Sequence, residues 1–389
     1  MAHKHSGAAI AGIGQTEFSK ESGRSELQLA CEAIKSALDD CGLKPADVDG
    51  LVTFTLDTSD DVDVIRSTGM KEVHFSSRTP HGGGGACATI FQAMAAVDSG
   101  IADVVVAYRA FNERSGRRFG QPHLVDSQNA GGGTSFAQWC MPFGAMTPAS
   151  WAALMAQRYM ETHGVTNEDL GRVSVLQRKH AATNPAAWFY GKPITLADHQ
   201  ASRWIIEPVL RLLDCCQESD GGVAIVITSA ERARDLKQKP VRILGAAQAI
   251  PYGVEIVTGF YELDLTHAAH PEMFATARRL YERTGLKPAD FQLAMLYDAF
   301  TPQILTQLEA YQFCAIGEAK DFIKAGNIEI GGKIPINTNG GLIGEAYIHG
   351  MNNISEAVRQ LRGQAANQVS KVERVLVSSG ICATALGID

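Results

Sequence analysis

The 389-residue sequence lacks any CxxC pair, and its eight cysteines are scattered without metal-ligand spacing. Neither a zinc site nor a disulfide framework is therefore indicated, and a reducing cytoplasm fits best. No apolar run reaches bilayer length. Met1 to Gly7 pass directly into a strand-like Ala-Ala-Ile-Ala-Gly-Ile, without the long apolar core and cleavage site of a signal peptide. Basic clusters are also scarce. The net charge is -7, and only Arg114, Arg117 and Arg118 form a knot, read either as a solvated loop or as facing an anionic phosphate. That balance argues against nucleic acid as a partner.

What is present is a large apolar content, 45% hydrophobic against 20% charged residues, enough for two domains or one duplicated unit. Leu27, Leu29, Ala30, Ala33, Ile34, Ala37 and Leu38 recur at helical spacing, and Gly42 ends that helix. The hexapeptide Gly-Leu-Lys-Pro-Ala-Asp at 42–47 returns letter for letter at 285–290, each time with a helix before it and a strand after it. A glycine cluster, a helix and a strand then follow in both halves, from Gly82 to Tyr108 and from Gly340 to Val377. This predicts an α/β fold built by duplication, with halves at 1–240 and 241–389. Residues from about 111 to 208, aromatic and rich in Gly, Pro and Met, read as a loop or lid insertion in the first half.

The stretch from Asn337 to Gly350 is the strongest candidate for half of a site, because its glycines permit a tight turn that presents Tyr347 and His349. Gly82 to Gly85, beside His81, is the matching cluster, and the repeat would bring the two glycine-led helix starts toward one centre. The glycines either offer backbone N–H groups to an oxyanion or allow close helix packing. His349 and His81 are read as polar groups at the substrate or as satisfied structural histidines. Cys87 reads as a buried packing residue.

Two similar halves, Ser219-Asp220-Gly221 before a strand, Tyr297-Asp298-Ala299-Phe300 and Asn339-Gly340-Gly341 resemble a thiolase of the sterol-carrier or lipid-transfer type over nearly the whole chain. The resemblance implies a five-layered αβαβα thiolase fold with two pseudo-two-fold related halves. It also locates three departures. Counting back from Gly100-Ile101-Ala102-Asp103 places Gly83 where thiolases carry the nucleophilic Cys; Tyr297 stands in the Asn or His place; and Tyr347 replaces the His of the Gly-His-Pro turn. The C-terminal Cys-x-Gly motif is not reproduced around Cys382.

The N-terminal Ala-Gly-Ile-Gly-Gln-Thr-Glu-Phe-Ser-Lys, the Arg109 to Gly116 segment and the paired tyrosines are similar to the steroid side-chain aldolases of the lipid-transfer group. That likeness implies retro-aldol cleavage of a β-hydroxyacyl-CoA, releasing propionyl-CoA and a 17-keto steroid without an acyl-cysteine. Tyr347 and Tyr297 would be the acid/base pair, with His349 and His81 beside them, and Gly83, Gly84, Gly340, Gly341 and Asp298 at the substrate. Coenzyme A would enter as part of the substrate, with no cofactor or metal on this chain. A homodimer joined to a DUF35 partner of OB-fold and zinc-ribbon type, as a heterotetramer, is implied in the same way. Two other readings remain: a non-catalytic acyl-CoA or lipid carrier, and a thiolase with a relocated nucleophile, Cys87 or Cys314.

Overall fold

The computed structural model describes residues 7–80, 82–116, 118–121, 141–251 and 270–388. Eleven strands are named here in chain order: β1 (Ala8–Gln15), β2 (Gly50–Phe54), β3 (Phe75–Thr79), β4 (Val104–Asn112), β5 (Trp204–Ile206), β6 (Leu210–Arg211), β7 (Asp220–Ser229), β8 (Val241–Gln248), β9 (Leu293–Met295), β10 (Arg374–Ser378) and β11 (Cys382–Gly387). Nine of them form one mixed sheet in the order β3-β2-β4-β7-β1-β8-β11-β10-β9. Among the described residues its two portions are joined where Ala9 and Ile10 of β1 pair with Arg242 and Val241 of β8. The helices that matter for the site are α1 (Glu26–Cys41), α2 (Asp61–Thr68), α3 (Ala86–Asp98), α4 (Pro148–His163), α5 (Asn167–Thr183), α6 (Pro271–Thr284), α7 (Gly341–Gly344) and α8 (Met351–Arg362).

Strand periodicity sorts these layers. In β4, Val104, Val106, Tyr108 and Ala110 pack with the apolar face of α1, while Val105, Ala107 and Phe111 pack with α3. The helix α3 touches β2, β4 and β7 on one side and β8 and β11 on the other, and α8 likewise touches both portions of the sheet. Small residues at Ala86, Ala88, Ala93 and Ala96 let α3 lie close between them. With α1 outside one portion and α6 outside the other, this is the alternation of helix and sheet layers expected from the sequence.

The duplicated hexapeptide has the same conformation twice. Gly42 (φ 80°) and Gly285 (φ 71°) cap α1 and α6 in the left-handed region, a short 3-10 turn follows at Pro45–Asp47 and Pro288–Asp290, and β2 and β9 come next. Ser25 caps the other end of α1, its hydroxyl accepting from Gln28 N. Within the segment read as a loop or lid insertion, Pro148–His163 and Asn167–Thr183 are the regular helices α4 and α5, and α5 packs directly on α7. Sequence reading passed over α2, β3 and β11. The first two are short and half-exposed, and β11 was read as a broken motif around Cys382 instead of as a strand.

Candidate active site

In β9, Leu293 and Met295 face the central layer with the first core cluster, while Ala294 and Leu296 face the opposite way. Tyr297 continues the inward phase and therefore points at α3 and α8. A pair of amide bonds fixes it: Tyr297 N donates to Gln307 Oε1 at 3.0 Å, and Gln307 Nε2 donates to Tyr297 O at 2.6 Å. One residue earlier, Leu296 N donates to Asn337 Oδ1 at 2.7 Å and Asn337 Nδ2 to Leu296 O at 2.8 Å. That double clamp joins the Tyr297 segment to the glycine turn.

The turn is built around the buried carboxyl groups of Asp298 and Glu345. Asp298 Oδ2 accepts from Leu342 N at 2.8 Å and Ile343 N at 3.2 Å. Glu345 Oε2 accepts from Asn339 Nδ2 at 2.6 Å and Asn352 Nδ2 at 2.8 Å, and its Oε1 accepts from Asn184 at 3.1 Å. Two residues on, Tyr347 N donates to Ser219 Oγ at 3.2 Å. The result is a hydrogen bond of 2.9 Å between the hydroxyls of Tyr347 and Tyr297, side chains separated by fifty residues of chain and both buried. Burial pushes both phenols well above their ordinary range, and at Tyr347 the facing Tyr297 adds to this.

Gly83 closes the site from the α3 side, where a Cβ would fall 1.7 Å from Tyr297 Oη and 2.6 Å from Tyr347 Oη. Gly84 is less confined, its nearest neighbour being Ser379 O at 3.4 Å from a Cβ. The other glycines need correcting. Gly340 faces Ala181 of α5 (2.6 Å from a Cβ) and Gly341 faces Asp298 Oδ2 (2.3 Å), so the close approach they permit is of protein to protein. Their N–H groups are also spent, on Asn337 O and Asn339 Oδ1 at 2.9 Å each, and are not free for an oxyanion. Asp298 is likewise committed to the turn. His81 lies outside the described residues, as do Arg117, Phe136, Trp139 and Cys140.

His349 is brought to the pair, its ring centroid 5.2 Å from that of Tyr347 and edge-on to it. Phe54, Phe111 and Phe119 enclose its other sides at 4.9 to 5.8 Å. Its Nδ1 accepts from Arg109 Nε at 3.1 Å. Arg109 and its ion-pair partner Asp57 (2.9 Å) are almost completely buried, and sequence reading gave neither a role. The signal was available: Arg109 is a charged residue in the inward phase of an otherwise apolar strand. Glu113, buried nearby with its carboxyl pushed well above the usual range by burial and by Glu218, was also missed.

The cysteines stand apart from this chemistry. Cys87 is fully buried, its N–H bonded to Ser379 Oγ at 2.9 Å and its thiol to Val377 O at 3.5 Å. The Cys382 thiol donates to Gly84 O at 3.0 Å, and burial holds it well above the usual thiol range. Cys314 packs against the second core cluster, and burial pushes it to about 12. An open cleft of about 490 Å³ lined by residues 57–62 and Arg78 includes neither phenol. Among the described residues no group of acidic, His and Cys side chains could hold a metal ion, and no helix is long and apolar enough to cross a membrane.

Layer order, duplicated turns and glycine-led helix starts at the centre define a thiolase fold, and the family model described as thiolase C-terminal domain-like matches residues 262–385. The fold is shared with human mitochondrial 3-ketoacyl-CoA thiolase at a TM-score of 0.67 and 15% identity, over 99% of both chains. The chain is 58% identical to a steroid side-chain-cleaving aldolase of Thermomonospora curvata over 96% of this chain and 95% of that one. It is also 58% identical to the 17-hydroxy-3-oxo-4-pregnene-20-carboxyl-CoA lyase of Mycobacterium tuberculosis, over 96% of each. A solved Ltp2–ChsH2(DUF35) aldolase superposes with a TM-score of 0.92 at 56% identity, covering 100% of this chain and 99% of that one. The chain belongs to the thiolase superfamily and, within it, to this family of carbon–carbon lyases.

Proposed function

We propose that the chain performs retro-aldol cleavage of a β-hydroxyacyl-CoA, a 17-hydroxy steroid with a C22-CoA side chain, giving a 17-keto steroid and propionyl-CoA. The names of the two relatives at 58% identity support the substrate class. The hydrogen-bonded phenol pair at 2.9 Å carries the mechanism. Tyr347 Oη takes the proton of the substrate hydroxyl as the bond between the carbinol carbon and the thioester α-carbon breaks. The carbinol becomes a ketone, and the bonding electrons pass into the thioester as an enolate. Tyr297 Oη gives a proton to the enolate carbon and is restored by Tyr347 along their hydrogen bond. One proton leaves oxygen and one arrives at carbon, so neither phenol must persist as a phenolate, which its burial would make costly. No thiol takes part.

The chain is further proposed to work in the cytoplasm as a homodimer assembled with a DUF35 partner into a heterotetramer; the solved Ltp2–ChsH2(DUF35) aldolase at 56% identity supports the partner. The test is incubation of the purified chain, with and without that partner, with the 17-hydroxy steroid C22-CoA thioester. Ketone and propionyl-CoA in equal amounts are expected. Neither product from an intact complex would leave the non-catalytic carrier as the better account.

A further inference from the structure

His349 sits in a setting that decides its proton. A guanidinium nitrogen can only donate, so Nδ1, 3.1 Å from Arg109 Nε, must hold a lone pair. Arg109 is not free to turn away. Its Nη1 donates to Asp57 Oδ2 and to Ala110 O, both at 2.9 Å, its Nη2 to Leu56 O at 3.3 Å, and it lies 4.3 Å over the Phe111 ring. Adding a proton at Nδ1 would set N–H against N–H and one cation against another inside an aromatic enclosure. The groups facing His349 are Arg109 from β4, Asp57 behind it from the segment after β2, Tyr347 from its own segment, and the rings of Phe54, Phe111 and Phe119. Burial and, after it, Arg109 hold the imidazole well below the ordinary histidine range. The backbone at His349 is left-handed (φ 52°), uncommon for a residue with a side chain, so the local fold also sets the ring's direction.

We infer that Asp57 and Arg109 form a positioning pair that locks His349 as the neutral Nε2–H tautomer, and that this N–H donates to the thioester oxygen as enolate charge develops there. His349 is then an electrophilic donor and does not shuttle protons. The guanidinium on Nδ1 draws electron density from the ring and strengthens the Nε2–H donor, and a fixed donor aimed at developing charge needs no reorganisation during the reaction. The identity of the oxygen rests on the lyase reading above; the tautomer does not.

Both parts are tested on the full-length chain labelled with ¹⁵N-histidine, the His349 resonances being assigned by their loss in His349→Gln. The expected wild-type spectrum has a proton on Nε2, none on Nδ1, and no change from about pH 5.5 to about pH 8, where free imidazole titrates. Arg109→Gln and Arg109→Met remove the donor that fixes the tautomer, so a proton should appear on Nδ1 in part of the molecules while burial, the larger cause, still keeps the ring uncharged. In turnover, His349→Leu should lose roughly 100- to 1000-fold in kcat with little change in KM, the cost of one oxyanion donor, and His349→Gln, which keeps an N–H, should recover about tenfold of it. Titration of wild-type His349 in the window, or a proton on Nδ1, overturns the tautomer; the wild-type spectrum alone decides this even if the Arg109 variants fail to fold. Equal turnover for Leu and Gln overturns the donor role. Failure of the lyase reaction itself would leave the spectrum unchanged, so the two failures are distinguishable.

Discussion

Gly83 and Tyr297 exclude each other's alternatives: a Cβ on Gly83 would lie 1.7 Å from Tyr297 Oη. The phenol fills the space into which a side chain at that position would extend, so a cysteine at position 83 and the phenol of Tyr297 cannot both be accommodated in this arrangement. Gly83→Cys should therefore not acquire acyl transfer. It should instead lose about 100-fold or more in lyase turnover and about 1–3 kcal/mol of stability, the usual cost of forcing atoms into a packed site. Unimpaired cleavage of the steroid thioester by Gly83→Cys would show that the phenols need not meet.

Tyr347→Phe and Tyr297→Phe should each lower kcat by about 100- to 10,000-fold, the range for a positioned acid or base. Each change also leaves the other buried hydroxyl without its partner, a destabilisation of about 1–3 kcal/mol. Thermal unfolding and turnover are to be measured on the same samples. If either variant keeps near-wild-type kcat, the relay through both phenols fails.

The repeat was legible because Gly-Leu-Lys-Pro-Ala-Asp is a complete local device: a glycine cap, a Pro-initiated turn and an Asp that bonds back to the Lys amide, at 2.8 Å in the first copy and 2.7 Å in the second. Tyr297 and Tyr347 were legible through resemblance, since they fall where the family's motifs are interrupted. The role of Gly340 was not legible, because a glycine that permits a ligand and one that admits a neighbouring helix have the same letter, and only the approach of Ala181 separates them. Arg109 and Asp57 were missed for a different reason. Their significance comes from meeting each other and His349 across 52 and 240 residues of chain, which no local pattern encodes.

Cys87→Ala should leave turnover within a few-fold of wild type. Its thiol is bonded to Val377 O in the packed centre, so the loss should fall on stability, by about 1 kcal/mol for a small buried side chain. Steady-state kinetics decides the matter, and an inactive, well-folded Cys87→Ala would put the relocated-nucleophile reading ahead of the aldolase.

Glu345→Gln tests how the turn aims Tyr347. Three Asn amides donate to the Glu345 carboxylate, and a Gln would turn a donor toward at least one of them. A loss of about 1–3 kcal/mol is expected from the unsatisfied buried groups. Because Tyr347 lies only two residues on, kcat should fall with it while the Cys87→Ala comparison stays active. A variant with lowered melting temperature but unchanged kcat would show that the cradle holds the fold without aiming the phenol.

The buried carboxyls contribute stability that should fall as pH rises from about 4 to about 7.5. Burial raises Asp298 from 3.8 to about 7 and Glu356 from 4.5 to about 7, and Glu113 and Glu345 move in the same direction. For a carboxyl raised in the folded state, the stabilising contribution is fully present below the unfolded value and is lost as pH passes through the folded one. Lys20, lowered to about 8 by burial, acts in the opposite sense above that pH, and His163, His180 and His349, also lowered by burial, act in the opposite sense below about 6.5, so the carboxyl contribution is read from the difference between wild type and Asp298→Asn. Asp298 Oδ1 has no hydrogen-bond partner among the described residues, while Oδ2 serves the turn. Asp298→Asn, which keeps an oxygen for Leu342 and Ile343 N–H, should therefore gain melting temperature relative to wild type as pH rises between those values. An Asp298→Asn profile with the same pH dependence as wild type would show that Asp298 is ionised in the folded protein and that the buried turn is held by a charged carboxylate.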